Sequence, residues 1–172
     1  MLKQPLLMQE PLARLVGANR RRINQAVGRR LRAHGLSPQR FWMLINLREA
    51  PGLSLGAMAV RRHMGEPTAS RIVTGLVRRR RVHTPPHAGD RRRRIIALTA
   101  AGAVLAEKLL PVAMEVRQAV EAGFAPAEKA TLRRLLARII ANMDRLEGEC
   151  SGTATQGRMG GREDRDLVLE GD

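Results

Sequence analysis

Apolar residues recur every three or four positions along most of this chain, which is the spacing of amphipathic helices. The first stretch with this period predicts a helix over residues 10–33, with arginines between its apolar positions. Gly35 ends this helix, because glycine accepts the left-handed conformation that often closes a helix. Ser37 and Pro38 then predict the N-cap and first position of a second helix, over about 38–48.

Two short helices separated by a turn come next. The third is predicted over about 55–64 with Ser54 as its N-cap, and the fourth over about 66–79. One face of the fourth helix is apolar and should contact the core: Ala69, Ile72, Val73 and Leu76. Its opposite face carries hydroxyl groups and a guanidinium: Thr68, Ser70, Arg71 and Thr74.

Residues 82–98 lack the helical period. Pro85, Pro86 and Gly89 interrupt this segment, whereas 95–98 is a short apolar run typical of a strand. We therefore expect two strands joined by a loop around 87–92, forming a β-hairpin.

The rest of the chain again predicts helices. Thr99 caps a long one that reaches about residue 122 and is kinked or loosened near Pro111, and a last helix covers about 126–147. Residues 148–172 are rich in Gly, Ser, Thr and acids without any period, which predicts a disordered tail. The expected fold class is therefore mainly α with one small β-hairpin.

Charge sets this chain apart from an ordinary globular protein. Its 172 residues include 31 Lys and Arg against 16 Asp and Glu, for a formal net charge of +15. Such a surface attracts polyanions. A GC-rich genome would explain the abundance of arginine but not its placement. The arginines lie along and just after the predicted fourth helix (Arg71 and 78–81) and in the predicted hairpin (91–94). Asp90 is the only acid between residues 71 and 94. This placement favours double-stranded DNA as the partner.

Other classes of function lack support. The single cysteine, Cys150, excludes an intrachain disulfide, and its use as a redox sensor is only weakly indicated. His83 and His87 are separated by two prolines and do not predict a metal site. No glycine-rich phosphate loop or nucleophile with a base is present, so we expect no cofactor and no enzyme activity. No signal peptide or apolar run of about 18 residues is present, and the expected location is the cytoplasm, without membrane association.

Between residues 37 and 146 the sequence resembles the MarR (multiple antibiotic resistance regulator) family of winged helix-turn-helix repressors. The resemblance rests on the order and spacing of short matches: 36–41 (LSPQRF), 51–55 (PGLSL), 68–73 (TASRIV), 90–92 (DRR) and 98–102 (LTAAG). It implies a triangular homodimer with an N-terminal dimerisation helix (1–36), a winged helix-turn-helix (37–98), C-terminal dimerisation helices (99–147) and the tail.

The resemblance also implies a way of docking on DNA. The fourth helix would enter the major groove, and the hairpin, as a wing, would reach the adjacent minor groove. Asp90 would orient the wing by pairing with arginine, and Arg92 or a neighbour would enter the minor groove. Half-sites of a pseudo-palindrome would lie one helical turn, about 34 Å, apart. The predicted DNA-binding residues are Pro67, Thr68, Ser70, Arg71, Thr74, Arg78, Asp90, Arg91, Arg92, Arg93 and Arg94.

Two further expectations concern dimerisation and regulation. Apolar stripes on the first and last helices predict a dimer seam, although intrachain core would account for some of these positions: Leu12, Leu15, Val16, Ile23, Leu31, Leu132, Leu135, Leu136, Ile139 and Met143. In relatives the second helix borders a cavity, so a small aromatic or amphipathic effector is expected near His34, Trp42, Met43 and Asn46. The alternative for Trp42 is ordinary packing.

The chain departs from the family pattern at three positions. Arg62 replaces an apolar residue, and His63 and Arg80 replace the glycines of two turns. A non-glycine residue at positive φ is strained. If these substitutions have altered the turns, the alternative function is a non-specific architectural nucleic-acid-binding protein.

Overall fold

The computed structural model of the protein describes residues 11–87 and 89–156. Its helices are α1 (Leu12–Arg30), α2 (Pro38–Glu49), α3 (Leu55–Arg61), α4 (Glu66–Arg78), α5 (Ala100–Glu121) and α6 (Pro126–Gln156), and a 3-10 turn follows α1 (Arg32–His34). Its strands are β1 (Val82–His83), β2 (Pro86–His87), β3 (Asp90–Arg94) and β4 (Ala97–Leu98). The chain divides into two units, residues 1–120 and 121–172.

Hydroxyl side chains cap three helices at the predicted positions. Ser37 Oγ accepts the backbone N–H of Arg40 at 3.4 Å, and Ser54 Oγ accepts that of Ala57 at 3.2 Å. Thr99 Oγ1 accepts the N–H of Gly102 at 3.0 Å. Each cap pairs one of the amide groups that a helix N-terminus leaves without a partner, so local chemistry fixes where these helices begin.

Two helix ends differ from prediction. The first helix closes at Arg30 and continues only as the 3-10 turn before Gly35 at φ 59°. The last helix extends to Gln156 instead of ending near residue 147, so residues 148–156 are helical and not a disordered tail. No proline interrupts 148–156, and glycine and serine there lower helix propensity without removing backbone hydrogen bonds. Residues 157–172, the rest of the predicted tail, lie outside the described residues.

The hairpin is confirmed, and β4 lies within the apolar run 95–98, but two further short strands, β2 and β3, lie between β1 and β4. β1 pairs with β4, whereas β2 pairs with β3 across an irregularity in the register. The arginine block expected partly in a loop is strand β3. The two isoleucines before β4 pair with the segment that precedes α3. Ile96 N–H donates to the Leu53 carbonyl at 2.8 Å, and Ile95 forms an isolated antiparallel β-bridge with Ser54. Backbone pairing, which does not depend on side-chain polarity, decides this arrangement.

The core of the first unit is aliphatic with one phenylalanine. The fully buried large side chains are Phe41, Leu31, Met43, Leu44, Leu47, Met58, Leu76, Ile96, Leu109, Val27 and Val82. Leu31, predicted in the dimer seam, is therefore a core residue, because the 3-10 turn folds it inward.

The sequence predicted a kink or loosening of the long helix near Pro111. In the structure α5 runs without a break through Pro111.

Two surface ion pairs attach α5 to the helices beside it. Arg30 Nε donates to a Glu115 carboxylate oxygen at 2.7 Å, and a second nitrogen of the same guanidinium donates to the other oxygen. Arg48 donates to both oxygens of Glu107, at 2.6 and 3.2 Å. The hydrogen bond and charge of Arg30 lower the pKa of Glu115.

In the second unit, none of residues 121–147 is buried. The apolar side chains of α6 that are exposed lie on one helical face: Leu132, Leu135, Leu136, Met143 and Leu146. None of the helices within the described residues is long and apolar enough to cross a membrane.

Candidate nucleic-acid interface

Helix α4 has the two faces that its sequence predicts. Ala69, Ile72, Val73 and Leu76 are buried. The residues predicted to contact DNA on this helix are exposed: Pro67, Thr68, Ser70, Arg71, Thr74 and Arg78. A helix of this width fits the B-DNA major groove, which is about 12 Å wide, and hydroxyl and guanidinium groups can hydrogen-bond both base edges and phosphates.

The turn between α3 and α4 is a Schellman motif in which His63, and not glycine, takes the left-handed position. Met64 N–H donates to the Ala59 carbonyl and His63 N–H to the Val60 carbonyl, both at 3.0 Å. His63 takes the left-handed position at φ 47°. The turn is therefore preserved, and the backbone of His63 is strained.

The turn after α4 repeats this geometry. Arg81 N–H donates to the Leu76 carbonyl at 3.0 Å, Arg80 N–H donates to the Val77 carbonyl at 2.8 Å, and Arg80 has a φ of 54°. The sequence left open whether substitution of the two glycines had altered the turns. Both turns keep their hydrogen bonds, with non-glycine residues in the left-handed conformation.

The wing follows directly and lies beside α4. Arg94 is exposed, and its Nη1 donates to the Thr84 carbonyl at 2.7 Å across the hairpin. Asp90, Arg91, Arg92 and Arg93 form β3 by their backbone, and their side chains lie outside what the structure describes. The minor-groove role of Arg92 and the pairing of Asp90 thus stay predictions.

A cleft of about 390 Å³ separates the wing from α4. Its floor is apolar and its rim carries hydroxyls and guanidinium groups; the lining residues are Leu55, Ser70, Val73, Thr74, Val77, Arg78, Thr84, Arg94, Ile95 and Ile96. The cleft brings Arg78 and Arg94, distant in sequence, to the same face of the domain. Sequence reasoning missed Thr84, which has no signal beyond its place beside Pro85.

The arginine block 78–81 divides into two kinds of residue. Arg78, Arg79 and Arg80 are all exposed, and Arg81 is half-buried. Arg79 Nη1 donates to the Gly35 carbonyl at 2.9 Å, and Arg81 Nη1 donates to the Ala101 carbonyl at 3.3 Å. Two of the four guanidinium groups therefore join parts of the domain, which the sequence, read as one basic run, did not reveal.

The residues predicted for an effector pocket are not brought together. Met43 is fully buried in the core, and Trp42 packs edge-on against Phe41 with ring centroids 4.7 Å apart. Asn46 Oδ1 accepts from Arg61 Nε at 3.2 Å, whereas exposed His34 lines a different cavity, with Leu36, Arg79, Arg81 and Leu105. The ordinary packing role of Trp42 accounts for its position.

Arg62 occupies the place where the family pattern has an apolar residue. Its guanidinium is partly buried, and its Nε has no hydrogen-bond partner among the described residues. Burial and the charge of Arg20 lower the pKa of this guanidinium. Within the described part of the chain, no three His, Cys, Asp or Glu residues are grouped to hold a metal; the side chain of Cys150 falls outside that part.

A helix-turn-helix followed by a basic β-hairpin defines the class of winged helix-turn-helix proteins. Residues 34–93 match the model of the MarR family. This segment of the chain is therefore similar to the winged-helix regulators of the MarR family.

Solved structures show the same fold at low sequence identity. BpsR of Bordetella bronchiseptica is 23% identical to this chain, with a TM-score of 0.65. The alignment covers 76% of this chain and 93% of the BpsR chain. MepR of S. aureus, in a DNA complex, is 20% identical, with 78% and 99% covered and a TM-score of 0.68. A MarR mutant from E. coli in complex with operator DNA is 22% identical, with 75% and 93% covered and a TM-score of 0.63. No curated protein matches the sequence.

Proposed function

We propose that this protein is a cytoplasmic, ligand-responsive repressor that binds pseudo-palindromic double-stranded DNA as a homodimer. The observation that carries the proposal is the polar face of α4, where Thr68, Ser70, Arg71 and Thr74 are all exposed beside the wing. An exposed helix with short hydroxyls and a guanidinium on its outer face suits direct contact with base edges.

The charge around α4 supports DNA over other partners. Arg78 and Arg94 line one cleft, and none of its described lining residues carries a carboxylate. Neutralised phosphates release counterions, so the affinity for DNA should fall steeply as salt rises. The structures of MepR with DNA and of the MarR mutant with operator DNA agree with this assignment.

The exposed apolar face of α6 supports the homodimer. Leu132 and Met143 are 42% and 50% exposed, and none of residues 121–147 is buried. Leu12 and Val16 give α1 a similar exposed stripe. A second copy of the chain would cover such faces by two-fold symmetry, and the same symmetry would place two α4 helices on two half-sites.

The proposed ligand response is supported by one structure of the same fold. The regulation of DNA binding by 6-hydroxynicotinic acid has been described for BpsR, and this chain shares only the fold with that protein. The proposed effector is a small molecule of aromatic or amphipathic character.

Fluorescence anisotropy tests the proposal directly. The labelled duplexes are the intergenic DNA upstream of the gene and a shuffled duplex of equal length and composition, each titrated at several salt concentrations. A much higher affinity for the intergenic duplex is expected, together with a dimer mass by light scattering. Equal affinity for both duplexes would instead favour the non-specific architectural function.

A further inference from the structure

A second cavity on the first unit is surrounded by cationic side chains. It has a volume of about 480 Å³ and is lined by His34, Leu36, Arg79, Arg81 and Leu105. These residues come from the end of α1 and the following loop, the turn after α4, and the early part of α5. None of the lining residues that the structure describes carries a carboxylate, so the two guanidinium charges face the cavity without a neutralising partner among them.

Hydrogen bonds hold both arginines at its edges. Arg79 Nη1 donates to the Gly35 carbonyl at 2.9 Å, and Arg81 Nη1 donates to the Ala101 carbonyl at 3.3 Å. Both acceptors are backbone carbonyls, which carry no negative charge to pair with the guanidinium. Within the described residues, neither arginine makes a hydrogen bond through its Nε or Nη2. Each therefore retains donors in the fork geometry that matches phosphate and carboxylate oxygens.

The turn between them explains why these two arginines share one cavity. Arg80 takes a left-handed conformation at φ 54°, and it is not a lining residue. Its neighbours on either side contact different segments, the α1–α2 loop and the first turn of α5. The turn at Arg80 thus leaves Arg79 and Arg81 on the cavity and Arg80 outside its lining.

We infer that this cavity binds a small organic dianion with an apolar body, of the class of an aryl or alkyl phosphate monoester. The charge of Arg79 and Arg81 matches a doubly charged group, and exposed His34 offers a further nitrogen donor. Leu36 and Leu105 supply an apolar wall for the organic part. The volume lies within the range of about 300–1,000 Å³ that is usual for small-molecule sites.

Isothermal titration of the full-length protein with phenyl phosphate, at constant ionic strength and without DNA, tests the site independently of the proposed function. Two matched probes are compared with it: inorganic phosphate, which lacks the aromatic ring, and phenol, which lacks the phosphate charge. The variants are Arg79→Gln, Arg81→Gln and His34→Gln, with Arg32→Gln as the control, since Arg32 is exposed and does not line the cavity. Thermal unfolding verifies that each variant is folded, and His34→Gln removes no hydrogen bond within the described residues.

Phenyl phosphate should bind to one site per chain and more tightly than either matched probe. Each arginine substitution should weaken binding about tenfold or more, the usual effect of losing a charged hydrogen bond, and Arg32→Gln should leave it unchanged. Equal binding of inorganic phosphate would overturn the organic ligand class. Equal loss in Arg32→Gln would show diffuse attraction instead of a site. Loss of DNA affinity in the arginine variants, with phenyl phosphate binding absent or unaltered, would assign the arginines to the DNA backbone and reject the proposal.

Discussion

Gly102 and Arg81 approach each other so closely that no side chain fits between them. A Cβ atom on Gly102 would lie 1.9 Å from the carbonyl oxygen of Arg81. The same carbonyl accepts the N–H of Thr99 at 3.1 Å, and Thr99 Oγ1 donates to the Arg80 carbonyl at 2.8 Å. This contact joins the start of α5 to the turn after α4, and it gives a physical reason for the threonine and glycine in the segment 98–102.

Gly102→Ala should destabilise the protein by about 3 kcal/mol, because backbone has to move to admit the methyl group. Urea unfolding followed by circular dichroism measures the change. Gly28→Ala is the matched control, since a Cβ there would meet nothing closer than Pro38 Cγ at 3.8 Å. The control should gain up to about 1 kcal/mol from helix propensity. Equal stability of the two variants would contradict the close approach.

Arg80→Gly should be more stable than Arg80→Ala by about 1 kcal/mol, and His63→Gly more stable than His63→Ala by a similar amount. The comparison of glycine with alanine isolates the backbone, since both substitutions remove the same side-chain interactions. Thermal denaturation of the four variants gives the two differences. Alanine variants as stable as their glycine counterparts would mean that neither turn is strained in solution.

The ion pair between Arg30 and Glu115 predicts an acid dependence of stability. The hydrogen bond from Arg30, with its charge, lowers the pKa of Glu115 in the folded state, so the unfolded chain binds this proton more readily. The stabilisation is complete above the unfolded pKa, near the ordinary value of 4.5, and is lost as pH falls through the lower folded pKa.

Measuring unfolding midpoints between neutral pH and the acid range tests this pair. Glu115→Gln and Arg30→Gln should each flatten the acid part of the profile, and the double variant should add no further flattening. Additive flattening in the double variant would show that the two residues act separately.

Arg92→Ala should weaken binding to every duplex and make the plot of log affinity against log salt shallower by about 0.9 if one phosphate contact is lost. Lys108→Gln, at an exposed position of α5, removes one charge from outside the α4 and wing segments and should change the slope little. An unchanged slope in Arg92→Ala would remove this residue from the interface.

Arg71→Ala should mainly relax sequence preference, by about 1–3 kcal/mol between the preferred base pair and its replacements. Thr68→Ala should act in the same direction. Anisotropy with single-base variants of a selected operator gives these differences. A uniform loss across all operator variants would place Arg71 on phosphate instead of bases.

Leu136→Glu should convert the dimer to monomer and lower DNA affinity, because the charge would be buried in the apolar face of α6. Light scattering over a range of concentrations reports the mass. Ala141→Glu, on the opposite side of the same helix, adds the same charge and should remain dimeric. A dimeric Leu136→Glu variant would show that this face is covered in another way.

The sequence by itself determined the order of the elements and the faces of the helices. Ser37, Ser54 and Thr99 fix helix starts through hydrogen bonds to amides only a few residues away, and such local chemistry can be read from the chain. The buried and exposed faces of α4 follow from the period of its apolar residues. At His63 and Arg80 the sequence left open whether the turns are rebuilt or keep their shape with a strained residue, because the family pattern has glycine at both positions.

Tertiary structure alone decided the relationships between distant residues. The division of the arginine block, with Arg79 bonded to Gly35 and Arg81 to Ala101, depends on which carbonyls the fold brings within reach. The burial of Leu31 and the pairing of Ile96 with Leu53 depend on packing between segments, as does the close approach of Gly102 to Arg81. Periodicity encodes the direction a side chain takes from its own helix, whereas the partner it meets is set by the path of the rest of the chain.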